Sequence, residues 1–176
     1  SKKLKLVPCF HEQACAIAAE AYYKTSGKVG VVLVTAGPGL SNISTGVLSA
    51  YVDRIPMIIL SGQAQSKYLK HSSLRIFGPQ AVSAEKLFGN ISKVLEINSQ
   101  TKVNQINKFI KFQDYADFGP KIIQVPLDLQ RMHINNSSKN IYNFVSIKKR
   151  TKDKDKLFKT LEKLIKESKR PSVLIG

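Results

Sequence analysis

The stretch "VGVVLVTAGPGLSN", residues 29–42, contains the clearest fold signal in the chain. It starts as a run of apolar, mostly β-branched residues, which is typical of a strand buried on both faces of a parallel sheet. Two glycines and a proline then lead into a segment of small residues with helical character, so a strand, a tight turn and a helix are predicted in this order. Such turns need glycine whether or not a ligand is present, but they also direct backbone N–H groups toward a polar or anionic ligand. The turn alone leaves a structural role and a binding role both open.

The segments on both sides of this stretch continue the alternation of strands and helices. Before it, residues 4–10 are short and apolar enough for a strand, and residues 12–24 follow as an alanine-rich helical pattern that Gly27 is placed to end. After it, residues 55–62 form a second apolar run and a long polar loop follows. The remaining predictions are a helix near 81–91, a strand at 92–97, a helix at 103–118 and a strand from 119. This rhythm predicts an α/β protein with a mostly parallel sheet flanked by helices.

The composition changes after residue 130. Residues 1–130 contain the α/β pattern and are predicted to form one domain. Residues 131–150 are rich in Asn, Ser and Lys without a clean period, so we interpret them as an interdomain linker. Residues 151–176 restart a helix and then an apolar run, which predicts the beginning of a second domain.

Composition excludes several classes of protein. The 176 residues are 43% hydrophobic and 23% charged, which excludes a disordered or collagen-like chain, and no apolar run approaches the roughly 20 residues needed to cross a bilayer. No secretory signal is recognised at the amino end, so a soluble, cytoplasmic protein without membrane contact is expected. Neither a CxxC pair nor a Cys/His ligand set is present, so no metal ligand is predicted among these residues.

The net charge of +16, from 28 Lys and Arg against 12 Asp and Glu, would favour a polyanion if it were focused on one face. The lysines are instead scattered along the chain, and aromatic residues are not interleaved with the basic clusters. A solvated lysine-rich surface is the simpler interpretation. A basic nucleic-acid-associated α/β domain stays an alternative, although nucleic acid is not the expected partner.

The stretch "FHEQ", residues 10–13, places Glu12 at the start of the alanine-rich helix. A glutamate in the first turn is stabilised by the helix dipole by about 0.3–1 kcal/mol, so it needs no catalytic role. Desolvation against so apolar a segment would instead raise its pKa and make it a proton-exchanging acid. The sequence leaves these two effects balanced.

Two glutamines on the long loop are further candidates. Gln63 follows the second apolar run, and Gln80 lies in "FGPQA". A neutral amide both donates and accepts hydrogen bonds, so either residue could orient a carbonyl or a carboxylate, although glutamines are also common on any surface.

In their order along the chain, these pieces resemble the pyrimidine-binding domain of thiamine-diphosphate enzymes, and most closely that of acetolactate synthase. The family pattern has HEQ before an alanine-rich helix, a TxGPGxxN turn, an AxxDxxP step and a strand that ends in SGQ. The matching residues are His11, Glu12 and Gln13; Thr35, Gly37, Pro38, Gly39 and Asn42; Ala50, Asp53 and Pro56; and Ser61, Gly62 and Gln63. "LRIFGPQAVS", "GPKIIQVPLDLQ" and "RPSVLIG" resemble later segments, so the resemblance covers essentially the whole chain.

The resemblance implies a 2-keto acid decarboxylase and carboligase. Pyruvate would lose carbon dioxide to leave a two-carbon enamine on the cofactor, which would add to a second 2-keto acid. Glu12 would give a hydrogen bond or proton to the pyrimidine N1′ of thiamine diphosphate. The pyrimidine pocket would be formed by Thr35, Gly37, Pro38, Gly39 and Asn42, and the substrate would be faced by Gln80 and Gln63.

The resemblance also implies what completes the site. The chain would hold only the pyrimidine end of the cofactor, while Mg²⁺ would bind a diphosphate domain with a GDG motif that these residues lack. That domain would come from a second subunit of a homodimer or tetramer, and the family also allows bound FAD. We therefore expect an interior fragment, incomplete at the amino end of its first domain, with the start of the middle domain at 151–176 and no turnover by itself.

One departure from the family pattern keeps a further alternative open. The residue after Gln80 is usually acidic in the family, and here it is Ala81. A degenerate pyrimidine-type domain, kept for subunit association or regulation without catalysis, would also fit.

Overall fold

In a computed structural model of the chain, residues 5–69, 78, 80–113, 115–132 and 154–172 are described. The helices are α1 (Glu12–Ser26), α2 (Pro38–Asn42), α3 (Ser44–Val52), α4 (Ala84–Phe88), α5 (Val103–Phe109), α6 (Leu127–Gln130) and α7 (Lys154–Glu167). The strands are β1 (Gly30–Val34), β2 (Met57–Gln63), β3 (Lys93–Glu96) and β4 (Pro120–Pro126), and a short 3-10 turn covers Tyr115–Asp117.

The strands form one parallel sheet in the order β1-β2-β4-β3. Gly30 lies opposite Met57, and Met57 lies opposite Pro120, so the three longer strands start level with one another. Their carboxyl ends therefore meet at one edge of the sheet. The predicted class, an α/β protein with a mostly parallel sheet and flanking helices, is confirmed.

Helices α1 and α3 pack together on one face of the sheet, where the core lies. A Cβ atom on Gly46 of α3 would lie 2.5 Å from the Cβ of Ala16 in α1, so only glycine allows this approach. The core on this face comprises Val32, Val34, Met57, Ile59 and Ile122 of the sheet with Ala16, Ala19, Leu40, Ile43, Val47 and Ala50 of the helices.

Local signals set both ends of α1. The backbone of His11 is extended and its Nδ1 accepts a hydrogen bond of 3.1 Å from the N–H of Gln13, which caps the helix start. Gly27 takes the left-handed conformation at the other end, with φ 67°, and donates to the carbonyl of Tyr23. These caps place Glu12 in the first turn, as its sequence context predicts.

Two strand predictions were wrong in detail. Residues 5–10 form no strand, and Leu6 and Phe10 are exposed, since within the described residues this segment pairs with no sheet edge. β1 is buried on one face only, because Val31 and Leu33 are 60% and 69% exposed. β1 is an edge strand, and the second face of the sheet borders an apolar groove of about 800 Å³ instead of a close-packed layer of helices.

The predicted domain boundaries stay predictions. Most of the linker, residues 133–150, and the strand predicted at the carboxyl end, from residue 173, lie outside the described residues. The helix predicted after the linker is α7, whose described side chains are exposed. None of the helices in the described parts of the chain is long and apolar enough to span a bilayer.

Candidate functional site at the carboxyl edge of the sheet

Three connections meet where the parallel strands end. β1 leads into the glycine turn, β2 leads into the long loop, and β4 leads into α6. Because α1 runs back to the start of β1, its first turn also lies at this edge. The carboxyl edge of an open parallel sheet is the ordinary place for a ligand site.

Glu12 and Asn42 are in direct contact here, although 30 residues separate them. The amide Nδ2 of Asn42 donates a hydrogen bond of 3.0 Å to Oε2 of Glu12, which joins the start of α1 to the end of α2. This bond, more than any other effect, holds the pKa of Glu12 below its usual value, and backbone hydrogen bonding adds to it. Desolvation raises the pKa by less. Of the two effects that the sequence left balanced, hydrogen bonding outweighs desolvation, so the half-buried Glu12 has a lowered pKa.

The glycine turn packs tightly against this carboxylate. A Cβ atom on Gly39 would lie 2.3 Å from Oγ1 of Thr35 and 3.4 Å from Oε1 of Glu12. Glycine therefore lets the turn approach Thr35 and keeps a side chain away from Glu12. Pro38 occupies the first position of α2, where its missing N–H costs nothing.

Gln80 lies against the other side of the same turn. Gly37 has φ 65°, and a Cβ atom on it would come within 2.9 Å of the Cβ and the carbonyl oxygen of Gln80. Gln80 itself has φ 56°, a conformation that costs a residue with a side chain on the order of 1 kcal/mol. Its side chain is exposed.

Gln63 lies deeper than the sequence suggested. It is 6% exposed, its Nε2 donates to the carbonyl of Val82 at 2.8 Å, and its Oε1 accepts from the N–H of Ala64 at 2.9 Å. Both ends of the amide are thus engaged within the protein. That Gln63 faces the substrate stays a prediction, and these contacts favour a role in holding the backbone.

Known proteins of one family are similar to this chain. A family model described as "Thiamine pyrophosphate enzyme, N-terminal TPP binding domain" matches residues 1–84. The probable acetolactate synthase large subunit of Methanococcus aeolicus is 33% identical over 171 residues, which are 94% of this chain and 28% of that protein. The acetolactate synthase large subunit of Lactococcus lactis is 31% identical with the same coverage. That of Buchnera aphidicola from Schizaphis graminum is 46% identical over 65 residues, 37% of this chain and 11% of that protein.

The chain belongs to the thiamine-diphosphate-dependent enzymes. Within that family it is most like acetolactate synthase, whose large subunits are its curated relatives. It spans about a quarter of the length of the relatives that match it along most of its sequence.

The site residues suit the pyrimidine end of thiamine diphosphate. A carboxylate beside a neutral amide, as in Glu12 and Asn42, can face a ring nitrogen. The glycine turn places no side chain over this carboxylate, so a flat ring could reach it. All the predicted site residues lie within residues 1–84, the part that the family model matches. Among the described residues, no group of three or more His, Cys, Asp or Glu side chains is placed to hold a metal ion.

Sequence reasoning missed Gln124 at this edge and left Asp128 outside the candidate site residues. Gln124 is 1% exposed in β4, and Asp128 in α6 accepts hydrogen bonds from the N–H (2.9 Å) and Oγ (3.1 Å) of Ser66. The bond from the N–H of Ser66 contributes most to lowering the pKa of Asp128. The signal for Gln124 was present, because a glutamine in the otherwise apolar run "IIQV" of a buried strand requires hydrogen-bond partners.

Proposed function

We propose that the chain is the pyrimidine-binding part of a thiamine-diphosphate-dependent 2-keto acid decarboxylase and carboligase of the acetolactate synthase type. The observation that supports this best is the contact between Glu12 and Asn42 beside the glycine turn. It brings together the residues that the family resemblance assigns to the cofactor, in a domain whose relatives are acetolactate synthase large subunits.

Glu12 is the proton-handling residue in this proposal. Thiamine diphosphate, when bound, would supply the carbon nucleophile and the electron sink for decarboxylation of a 2-keto acid. Glu12 shares a proton with the pyrimidine N1′, and Asn42 orients the carboxyl group for that contact. A ring bound against Glu12 would exclude water and raise the pKa of its carboxyl group, opposing the lowering by Asn42, so that a proton could be held there.

The other residues shape the pocket. Thr35, Gly37, Pro38 and Gly39 form the wall beside the pyrimidine ring, and the exposed Gln80 reaches toward the 2-keto acid. These roles come from the resemblance, and the close packing of the turn supports them.

The remaining parts of the enzyme lie outside this chain in the proposal. Mg²⁺ binds a diphosphate domain, and a second subunit of a homodimer or tetramer supplies that domain. The proposal places the enzyme in the cytoplasm, with pyruvate as first substrate, and leaves FAD binding open. Neither the degenerate domain nor the nucleic-acid alternative gains support from a contact among the described residues.

The full-length enzyme tests this proposal. With pyruvate, thiamine diphosphate and Mg²⁺ we expect two pyruvate molecules to give one acetolactate and one carbon dioxide, detected as acetoin after acid decarboxylation. Glu12→Gln keeps the shape of the side chain but should lower turnover by about 100-fold or more, because positioned acids and bases contribute at least that much.

The matched control is Glu85→Gln, since Glu85 also lies in the first turn of a helix, α4. Its turnover should match that of the parent enzyme. Turnover of the Glu12→Gln variant near the parent value would remove Glu12 from the mechanism, and acetaldehyde as the only product would exclude carboligation.

A further inference from the structure

Two glutamine amides converge on a single backbone carbonyl at the carboxyl edge of the sheet. Nε2 of Gln63, at the end of β2, donates to the carbonyl of Val82 at 2.8 Å, and Nε2 of Gln124, in β4, donates to the same oxygen at 2.9 Å. A carbonyl oxygen has two lone pairs, so these two bonds use its full capacity.

The other ends of the two amides hold the same connection. Oε1 of Gln63 accepts from the N–H of Ala64, the first residue after β2, and Oε1 of Gln124 accepts from the N–H of Ala84, the first residue of α4, each at 2.9 Å. The two glutamines thus fix both ends of the chain between β2 and α4. Asp128 adds a tether near its start through Ser66.

Burial makes these bonds consequential. Gln63 and Gln124 are 6% and 1% exposed, and Ala84 is completely buried. Removing one partner would leave a buried amide or carbonyl without a hydrogen bond, which is costlier than losing the same bond in water. An aliphatic residue like the neighbouring Ile122 and Ile123 would have served packing alone, so the amides indicate a need to hold the connection in one place.

The hydrogen bonds of Gln63 and Gln124 hold the backbone next to Gln80. Gln80 lies two residues before Val82, in the left-handed conformation, with its backbone against Gly37. A residue in so unfavourable a conformation persists only when its surroundings fix it. The paired amides supply that constraint on the carboxyl side of Gln80.

We propose that Gln63 and Gln124 are positioning residues that hold Gln80 against the glycine turn, so that they control binding of the 2-keto acid without touching it. This inference rests on the proposed function, in which Gln80 faces the substrate. It replaces the predicted direct contact between Gln63 and the substrate.

The test uses the full-length enzyme and pyruvate. Gln63→Met and Gln124→Met keep the length of the side chain and remove the amide. We expect each to raise KM for pyruvate by about tenfold, roughly what loss of one hydrogen bond to the substrate amounts to, while kcat changes by less than about twofold. The matched control is Gln130→Met, because Nε2 of Gln130 donates at 2.7 Å to the carbonyl of Val125 at the same edge, away from this connection. Its KM should not change.

A double-mutant cycle with Gln80→Ala separates positioning from general destabilisation. Gln80→Ala should raise KM by a similar factor, and Gln124→Met or Gln63→Met should add almost nothing in that background. An equal increase in KM with and without Gln80, or no increase from either methionine variant, would overturn the inference. If one methionine variant fails to fold, the other decides.

The two proposals fail in different ways. An enzyme that forms no product from pyruvate fails the proposed function. An active enzyme in which Gln80→Ala leaves KM unchanged retains that function but overturns this inference, because there is then no substrate contact to position.

Discussion

Carboxylates have different partners at the two edges of the sheet. At the carboxyl edge, Glu12 is held by the neutral amide of Asn42, and no ion pair among the described residues includes it. At the amino edge, carboxylates are paired with lysines. The comparison indicates which carboxylate is available for chemistry and which ones serve the fold.

The amino edge contains two such clusters. In the first, Asp117 forms ion pairs with Lys93 and, at 2.8 Å, with Lys121. Lys121 is only 4% exposed. Its ammonium group lies 4.2 Å from the ring centre of Phe112 and also donates a hydrogen bond to the carbonyl of Lys111. Burial raises the pKa of Asp117, but its bonds to Lys121 and Lys93 outweigh this and hold the pKa below the usual value.

In the second cluster, a lysine joins α1 to the residue after α3. Lys24 lies 2.6 Å from Glu20 and 2.7 Å from Asp53, and the hydrogen bonds to Asp53 and then Glu20 raise its pKa. Glu20 also accepts from Ser49 at 3.1 Å. These charges are paired within the protein, so their contribution is to structure.

The largest loss of stability is expected from a substitution at the amino edge. Asp117→Asn leaves Lys121 buried without its counter-ion, and we expect the domain to lose about 3 kcal/mol of stability, as when other buried pairs are broken. Hydrogen exchange of β4 amides in the full-length enzyme measures this loss. Glu162→Gln removes an exposed pair with Lys166 and should cost less than about 0.5 kcal/mol. A change in KM for pyruvate from Asp117→Asn would show that the two edges are not independent.

A smaller effect is expected at the carboxyl edge. Gly37→Ala meets both an unfavourable φ of 65° and the backbone of Gln80, so we expect about 1–2 kcal/mol of destabilisation and a higher KM for pyruvate. Gly27→Ala is the matched control, because Gly27 has φ 67° with no atom within 4 Å of the added carbon. It should lose stability without affecting KM. Equal kinetic effects of the two variants would contradict the contact between Gly37 and Gln80.

The smallest expected effect is a change in the pKa of Glu12. Asn42→Ala should raise the pKa of Glu12 toward its usual value of 4.5. Because folding lowers this pKa, the ionised carboxylate of Glu12 stabilises the fold above pH 4.5. That stabilisation is lost as the pH falls through the lowered pKa. The Asn42→Ala variant lacks most of this stabilisation, so its stability should fall less in acid than that of the parent enzyme. Carboxyl NMR titration of the full-length enzyme without cofactor measures the shift. Asp128, tied to Ser66, is the internal reference and should not move.

The sequence by itself determined the α/β order, the end of α1 at Gly27 and the identity of the glycine turn, because these depend on residues close together in the chain. It also contained every residue proposed for the pyrimidine pocket, since the family motifs are local patterns. The prediction that β1 is buried on both faces failed, because burial depends on what covers an edge strand and not on its own composition.

Only the tertiary structure showed which partners the candidate site residues contact. The pKa of Glu12 is set by an amide 30 residues away, and the role inferred for Gln63 depends on Val82 and on Gln124, which lies in another strand. The local sequence does not show which partner each side chain meets, because these hydrogen bonds join segments that the chain order separates. The sequence pointed to Glu12, and the fold lowers the pKa of that carboxyl group and exposes Gln80 while it buries Gln63.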